Sequence, residues 1–357
     1  MTAAFILFLI LIVLGLIEYR VHRKRVDSVP VRILVNGTRG KTTVARIITA
    51  ALQKSGMRTI GRTTGSEAVV ILPDGSVEGV VRKRGASILE LRSFFRLAAE
   101  EKCECAVVEC MALLPENQKT LASTLVRPQI VVITNTYRDH IAEMGRKRED
   151  TAWALSRSVP KGAKLYTIED FYDSLDADVV HVVGGDVTVP GCDFPLHKDS
   201  WRIAKAVLND MGIDDETIIS SLSSIHPDVG MQRRTAKCFY PYFSVNDVES
   251  MEKNLDETAL AEKGRDIFVI FNSRRDREYR IELMKIVLSG KKDIVKKVFV
   301  IGDYREKAAR ALARYVPSEV SDVDTLYRMI NENSESVYVG LGNIKGDGEK
   351  LIALFRE

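Results

Sequence analysis

The chain has 357 residues, of which 45% are hydrophobic and 28% are charged, and this composition excludes a largely disordered or multi-span membrane protein. Because single hydrophobic cores stop growing near about 250 to 300 residues, the length favours two soluble domains. The 52 basic and 49 acidic residues leave a net charge of +3, too small an excess to indicate nucleic acid as a partner.

The amino terminus is the exception to this soluble composition. No charged residue precedes Glu18, and residues 3–17 are all apolar or glycine, close to the lower limit of about 17 to 25 residues that span a bilayer. Lys and Arg follow this stretch but do not precede it, so we expect a retained anchor in the cell membrane, with the rest of the chain cytoplasmic. The alternative, an apolar helix in the soluble core, is unusual because core helices rarely lack a polar face. We therefore predict a single transmembrane helix over residues 1–19 and a basic linker over residues 20–30.

Beyond the linker, short apolar runs alternate with amphipathic helical patterns. Such runs are typical of buried parallel strands, and their alternation with helices predicts an α/β domain with a doubly wound sheet. We assign residues 31–230 to this central domain. Strands are predicted at residues 31–35, 105–108, 129–134, 163–167 and 179–183, and helices at residues 42–54, 87–101, 150–159 and 199–211.

A second alternation begins at residue 231, after a stretch in which Pro227 and Gly230 are typical of a linker between domains. We expect residues 231–357 to form a smaller, Rossmann-like α/β domain. Its strands are predicted at residues 267–271, 298–301 and 337–339, and its helices at residues 279–288, 305–315 and 324–331.

The clearest chemical signal lies between the first strand and the first helix of the central domain. A glycine-containing turn lets backbone N–H groups surround phosphate oxygens, a lysine neutralises the β and γ phosphates, and a hydroxyl serves Mg²⁺. The strict pattern would place its first glycine at Val35, so this P-loop is a variant. A plain strand-to-helix turn is the alternative, but the flanking strand and helix favour nucleotide binding. The residues predicted to bind ATP here are Asn36, Gly37, Thr38, Arg39, Gly40, Lys41, Thr42 and Thr43.

Polar residues follow two further strands of the central domain. Glu109 closes the strand at residues 105–108, and Asn135 and His140 follow the strand at residues 129–134. In an open parallel sheet, ligands bind at the carboxyl ends of the strands, so we expect these side chains to meet Lys41 in one crevice. A carboxylate that caps a helix is the alternative interpretation of Glu109, and a structural role is the alternative for an isolated histidine.

The P-loop resembles the Gly-Thr-Asn-Gly-Lys-Thr-Thr signature of the Mur ligases and folylpolyglutamate synthases, with Arg39 in place of asparagine. The segments 108–112 and 134–140 are similar to the acidic strand end and the Thr-Asn…Asp-His motif of the same families. The resemblance implies that Thr42, Glu109 and His140 hold magnesium and that Asn135 contacts the adenine. It also implies that Lys41, Glu109, His140 and Arg233 act in catalysis, that Arg233 reaches the γ-phosphate and that Asp247 holds the ribose.

One branch of these families matches nearly the whole chain: the ligase subunits of poly-γ-glutamate synthases, the CapB or PgsB proteins. The shared segments include residues 63–65, 272–277 and 340–344, and an amino-terminal membrane segment leads almost directly into the P-loop. A standard peptidoglycan Mur ligase would carry a UDP-binding domain before that loop. The resemblance implies an ATP- and Mg²⁺-dependent ligase that joins glutamate to a growing poly-γ-glutamate chain. It further implies a small multi-span membrane subunit of the CapC or PgsC type as partner, and a homo-oligomer.

Several basic residues are weaker candidates for substrate contacts. Arg274, Arg275 and Arg277 follow a strand of the second domain and could bind glutamate carboxylates, with Asn343 nearby, or they could be solvated surface residues. The run at residues 82–84 leaves the same two interpretations open. Ala142 stands where many Mur ligases continue with aspartate, which puts a second metal site in doubt. Two other functions stay open: a ligase of the folylpolyglutamate synthase type, and a P-loop ATPase that drives a membrane partner.

Overall fold

The computed structural model describes residues 2–355, apart from residues 66, 83–84, 185–187, 193, 195, 227–237, 246 and 334. The chain divides into two compact units. The first unit contains residues Met1–Gly191 and Leu196–His226, and the second contains Cys192–Pro195 and Pro227–Glu357. We had expected the division at residue 230, which lies outside the described residues.

The first unit is built on an eight-stranded sheet in the order β4-β3-β2-β5-β1-β6-β7-β8. The run from β2 to β8 in that order is parallel, while β3 pairs antiparallel with both β2 and β4. The register aligns Val35 with Glu109 and Asn36 with Ile133, so three neighbouring strands end side by side. The strands are β1 (Val31–Asn36), β2 (Thr59–Thr63), β3 (Val69–Ile71), β4 (Val77–Gly79), β5 (Cys105–Glu109), β6 (Ile130–Ile133), β7 (Lys164–Thr167) and β8 (Asp178–His181).

Helices follow the strands as the alternating pattern predicts. A core cluster of apolar side chains from β1, β5 and β6 packs against the helices of one face, and this burial explains why the central strands read as continuous apolar runs. A π-helical turn at Leu121–Val126 continues the fourth helix. The helices of the first unit are α1 (Thr2–Asp27), α2 (Lys41–Lys54), α3 (Leu91–Glu100), α4 (Pro115–Thr120), α5 (Ile141–Met144), α6 (Arg148–Ser156), α7 (Lys198–Asp210) and α8 (Asp215–Ser221).

The first helix is longer than we expected. The predicted basic linker, residues 20–30, is helical as far as Asp27, because the sequence from residue 16 to residue 29 contains neither glycine nor proline. His22 and Val26 are buried against the rest of the first unit, whereas residues 4–21 are exposed. The apolar part of α1 is long enough to cross a membrane, and none of it is buried in protein, which fits a single-pass anchor.

The second unit has a five-stranded sheet in the order β12-β11-β10-β13-β9, and every pairing in it is parallel. Apolar clusters lie on both faces, which confirms the prediction of a smaller α/β domain. Its strands are β9 (Phe239–Tyr240), β10 (Ile267–Ser273), β11 (Val295–Gly302), β12 (Ser318–Val320) and β13 (Val337–Leu341). Its helices are α9 (Val248–Ala261), α10 (Arg280–Gly290), α11 (Arg305–Leu312), α12 (Val323–Glu332) and α13 (Asp347–Ala353).

Candidate nucleotide-binding site

The P-loop connects β1 to α2 at the carboxyl edge of the first sheet. Gly37 and Gly40 have φ angles of 124° and 81°, in the region that favours glycine. A Cβ atom at Gly37 would lie 2.1 Å from the Thr134 hydroxyl oxygen, so a larger residue would displace β6 from the loop. Gly40 caps α2 without a side-chain hydrogen bond, which leaves the first N–H groups of a 14-residue helix available to a phosphate.

Two asparagines hold this loop in place. Asn36 is buried, accepts a hydrogen bond from the Gly37 N–H at 2.8 Å, and donates to Gln118 at 2.8 Å and to Ser158 at 2.9 Å. Its side chain thus supports the base of the loop from the protein interior. That Asn36 also contacts the nucleotide stays a prediction.

Asn135 joins the loop to the end of β6. Its Oδ1 accepts hydrogen bonds from the Thr38 hydroxyl at 2.6 Å and the Arg39 N–H at 2.9 Å, and its Nδ2 donates to the Arg39 carbonyl at 3.0 Å. The Thr134 hydroxyl donates to the same carbonyl at 2.6 Å. Asn135, which we predicted to contact the adenine, therefore has its amide engaged with the P-loop backbone.

Lys41, Thr42 and Glu109 form the centre of the site. Lys41 lies over the loop, with its Nζ donating to the Gly37 carbonyl at 2.7 Å and to the Thr38 carbonyl at 3.3 Å. The Thr42 hydroxyl donates to Glu109 Oε2 at 3.0 Å, and the Thr64 N–H donates to the same oxygen at 2.7 Å. Burial raises the pKa of Glu109, and the nearby Lys41 ammonium opposes that rise most strongly.

Asp139 and His140 lie in the segment after β6 and are close enough to Lys41 for its charge to affect the pKa of each. Asp139 forms an ion pair with Arg39 of the P-loop at 3.0 Å. Burial would raise the pKa of Asp139, but the charges of Arg39 and His140 outweigh it and hold that pKa below its ordinary value. Burial lowers the pKa of His140 and Asp139 only partly compensates, so the imidazole is neutral at pH 7 and can act as a metal ligand.

The oxygen donors of this edge fit a divalent cation that shares its ligands with a nucleotide. Among the described residues, no group of three or more His, Cys, Asp or Glu side chains could hold a metal alone. Thr42 and Glu109 are in contact, and a Mg²⁺ ion typically uses one or two carboxylates and completes its shell with phosphate oxygens and water. His140 makes no hydrogen bond to Thr42 or Glu109 within the described part of the chain.

The remaining P-loop residue and the candidates in the second unit have distinct surroundings. Thr43 is half-buried in the first turn of α2. Asp247 caps α9, where it accepts the Ser250 N–H at 2.9 Å. Asn343 is buried and donates to the Asn272 carbonyl at 2.8 Å, so it supports the ends of β10 and β13 from inside. Arg233 lies outside the described residues.

The three arginines after β10 make local contacts at the surface. Arg274 pairs with Asp276 at 2.8 Å, Arg275 donates to the Tyr304 hydroxyl at 2.9 Å, and Arg277 donates to the Tyr279 hydroxyl at 3.3 Å. These contacts leave the two interpretations, carboxylate binding and solvated surface, both open.

Sequence reasoning missed two groups that shape these strand ends. Gln118 and Ser158 bind Asn36 from α4 and from the end of α6, and nothing in a single sequence indicates a partner 82 or 122 residues away. Arg280, in the first turn of α10, is buried and donates to the Gly342 carbonyl at 2.7 Å and to Asn343. Arg280 is the second residue of the helix predicted at residues 279–288, and that local pattern gave no sign that it is buried.

Comparison with known proteins identifies the family. The Mur ligase middle domain matches residues 35–159, and the C-terminal domain of poly-gamma-glutamate synthase CapB matches residues 227–357. The capsule biosynthesis protein CapB of Bacillus anthracis is 30% identical in an alignment 379 residues long. The alignment covers 97% of this chain and 81% of that protein. This chain belongs to the CapB family. PGA synthase CapB of Bacillus subtilis (strain 168) is 26% identical, with 98% of this chain and 96% of that protein covered.

Solved structures agree on the fold of this CapB family member. A bifunctional folylpolyglutamate synthase/dihydrofolate synthase from Yersinia pestis, complexed with AMPPNP and Mn ion, superposes with a TM-score of 0.72 at 16% identity. The match covers 94% of this chain and 92% of that enzyme. The predicted resemblance to Mur ligases and folylpolyglutamate synthases is thereby confirmed for the fold.

Proposed function

We propose that the chain is an ATP-dependent amide ligase of poly-γ-glutamate synthesis. It activates a carboxylate of the growing chain as an acyl phosphate and joins that carbonyl to the amine of an incoming glutamate, with release of ADP and phosphate. The observation that carries the proposal is the P-loop with Thr42 held against Glu109, in a chain 30% identical to CapB of Bacillus anthracis. The family assignment supports this function over a folylpolyglutamate synthase or a membrane-coupled ATPase.

The carboxyl edge of the first sheet binds the ATP phosphates in this proposal. The free N–H groups at the start of α2 and the ammonium of Lys41 receive the β and γ phosphates. Lys41 must first release the Gly37 and Thr38 carbonyls, which it does when a phosphate oxygen offers a stronger, charged acceptor. The loop itself stays fixed, because Asn36 and Asn135 hold it to three other elements.

We propose Mg²⁺ as the metal, held by Thr42 and Glu109 with His140 as a further candidate ligand. When bound, the cation supplies positive charge to the γ-phosphate as it is transferred. Support comes from the hard oxygen donors of the site, and from the Yersinia pestis enzyme of the same fold, which is complexed with AMPPNP and Mn ion. Burial, together with the nearby Lys41 and Arg39 charges, lowers the pKa of His140 and favours the neutral imidazole that a metal ligand needs.

The second unit would supply the rest of the ATP and substrate contacts. Arg233 is proposed to stabilise charge on the γ-phosphate and Asp247 to bind the ribose, both on the family resemblance. Arg274, Arg275 and Arg277 are proposed for glutamate carboxylates because their guanidinium groups stand at the surface after β10. Asn343 would act by positioning this edge from the interior.

We propose that α1 anchors the chain in the cell membrane, with both units on the cytoplasmic side. The apolar length of α1 and the basic residues that follow it support this placement. A small multi-span membrane subunit and a homo-oligomer are proposed on the family resemblance.

The test is ADP formation by the detergent-solubilised full chain, co-expressed with its membrane subunits, with and without L- or D-glutamate. We expect ADP formation that depends on glutamate and yields glutamyl amide polymer. Lys41→Ala should abolish both, whereas Lys54→Ala, at the exposed far end of the same helix, should leave both unchanged. ATP turnover indifferent to glutamate, with no amide product, would refute the ligase.

A further inference from the structure

The direction of α1 relative to the first sheet determines which face of the protein meets the membrane. The strand β5 ends at Glu109 at the carboxyl edge, beside the end of β1 and the P-loop. The helix α3 leads into β5, so it ends near the start of that strand, at the amino edge of the sheet. Its first residues therefore lie toward the carboxyl edge. The pairing of β4 agrees with this placement. Gly79, the last residue of β4, pairs with Val69, and Val69 pairs with Thr63 at the carboxyl end of β2, so the chain also leaves β4 at the carboxyl edge.

The helix α1 runs beside α3 in the same direction. Glu18 forms an ion pair with Arg92, and one turn further the His22 ring meets Phe95 edge-on at 6.0 Å, so the residue numbers of both helices increase together. At its other end, Asp27 pairs with Arg127, three residues before β6 begins. The chain in α1 therefore passes from the carboxyl edge to the amino edge of the sheet.

It follows that the apolar half of α1 leaves the first unit at the carboxyl edge. The docked part is fixed by more than its ion pairs, because buried His22 contacts the Leu125 carbonyl at 3.0 Å and the buried Arg32 guanidinium donates to the Val26 and Val29 carbonyls. The helix continues without interruption from there to the apolar segment. The 14 residues from Ala4 to Ile17 extend it by about 20 Å at the usual helical rise.

We propose that the carboxyl edge of the first sheet, and with it the P-loop, faces the bilayer, and that Val81, Leu89 and Arg92 contact the lipid headgroup region. This inference rests on the proposed membrane anchor. Val81 is 90% exposed and Leu89 is 51% exposed, although both are apolar. Arg92 pairs with Glu18, the residue at which the apolar segment ends. Leu89 precedes Arg92 by three residues and therefore lies about 5 Å closer to the bilayer than Glu18.

The occupant of this surface is lipid rather than a protein subunit, because the same edge is continuous with a helix whose apolar side chains are exposed all round. The helix carries Arg20, Arg23, Lys24 and Arg25 directly below its apolar segment, where anionic headgroups would be. The acidic polymer would be extended at an edge that faces the membrane, close to whatever exports or retains it.

The test is fluorescence quenching of the full chain in vesicles of phosphatidylcholine and phosphatidylglycerol, without any membrane subunit. Single cysteines at Ile10→Cys, Leu89→Cys and Ile219→Cys carry an environment-sensitive dye, and Cys192→Ser removes the one native cysteine that is not buried. Ile219 is the matched control, since it is 48% exposed on α8, a helix that packs on α2 and α7. Lipids with a nitroxide near the headgroup or deep in the acyl chain act as quenchers.

We expect the dye at residue 10 to be quenched most by the deep nitroxide, the dye at residue 89 to be quenched by the shallow one, and the dye at residue 219 to be unaffected. Quenching at residue 10 with equal responses at residues 89 and 219 would overturn the proposed orientation while the anchor stands. No quenching at residue 10 would overturn both. Glutamate-dependent ADP formation by the same dye-labelled variants, measured in detergent after co-expression with the membrane subunits, reports separately on the proposed ligase and on correct folding.

Discussion

Replacing Glu109 with glutamine should separate catalysis from stability in this protein. Glu109 is 4% exposed, and its Oε2 accepts both the Thr42 hydroxyl and the Thr64 N–H. A glutamine oxygen in the same place can accept both hydrogen bonds, so the substitution removes the charge and keeps the shape. We therefore expect the variant to fold with the same contacts around β5 and the P-loop.

The stability of Glu109→Gln should equal or exceed that of the native protein. The pKa of Glu109 is raised in the folded state, so its ionised form is disfavoured there, and above the unfolded-state pKa the carboxylate costs stability. Glutamine removes that cost at neutral pH, and we expect a gain of up to about 2 kcal/mol in the free energy of unfolding, the usual upper size of the gain from a single stabilising substitution. Denaturant unfolding without nucleotide measures it.

Catalysis should fall by about 10² to 10³, the loss typical when one preorganised electrostatic group is removed, equivalent to about 3 to 4 kcal/mol in the barrier. Glutamate-dependent ADP formation is the assay, and stabilisation by ATP with Mg²⁺ should weaken in parallel. Glu104→Gln, at an exposed position just before the same strand, is the control. Full activity in Glu109→Gln would refute the metal-ligand role, and a loss of several kcal/mol in stability would refute the argument that the buried carboxylate destabilises the fold.

Three further substitutions test the contacts that hold the site and the helix. Asn135→Ala removes three hydrogen bonds to the P-loop, so it should cost roughly 2 to 3 kcal/mol in stability and raise the KM for ATP. Asn117 is exposed, and Asn117→Ala should change neither quantity. Glu90→Gln leaves the Arg62 guanidinium, 2% exposed, without its anionic partner and should cost about 3 kcal/mol; an unchanged unfolding midpoint would contradict this. Burial would raise the pKa of Glu90, but hydrogen bonds from Arg82, Ser87 and Arg62 outweigh it and lower that pKa. The native protein should therefore lose the stability contributed by the Arg62–Glu90 pair as pH falls through the pKa of Glu90, and Glu90→Gln should show no such loss. Arg32→Ala removes donors to three backbone carbonyls and should free α1 from the first unit, measured as faster protease cleavage before β1; equal cleavage rates would contradict the docking.

The sequence predicted the elements whose signal is local. The strands at residues 31–35 and 105–108 were found because strands buried on both faces are continuously apolar, and the P-loop because its glycines and lysine are adjacent in the chain. The strand β2 was missed because its sequence, Thr59–Thr63, is mostly polar, although every residue in it is buried. The Arg62 guanidinium in this strand pairs with Glu90, 28 residues further along the chain, a contact that no local pattern indicates.

The contacts at the site could not be predicted for the same reason. Local pattern identified Asn36 and Asn135 as members of nucleotide-binding motifs, but their hydrogen-bond partners lie up to 122 residues away. Only the register of β1, β5 and β6 brings these side chains together. The predicted start of α3 at residue 87 was wrong for a local reason: Ser87 caps a 3-10 turn at Ile88–Glu90, and the α-helix begins only at Leu91.

The missing glycine of the P-loop gives a last prediction. Val35 stands where the strict pattern has glycine, yet it is fully buried in β1, paired with Glu109 on one side and Val132 on the other. Val35→Gly would restore the pattern but remove a core side chain and add backbone freedom, at a combined cost of roughly 3 kcal/mol. It should not improve ATP binding, because the loop begins after this residue and is held by Asn36 and Asn135 instead. Tighter ATP binding without a loss of stability would show that the glycine pattern, and not the asparagine contacts, sets the conformation of this loop.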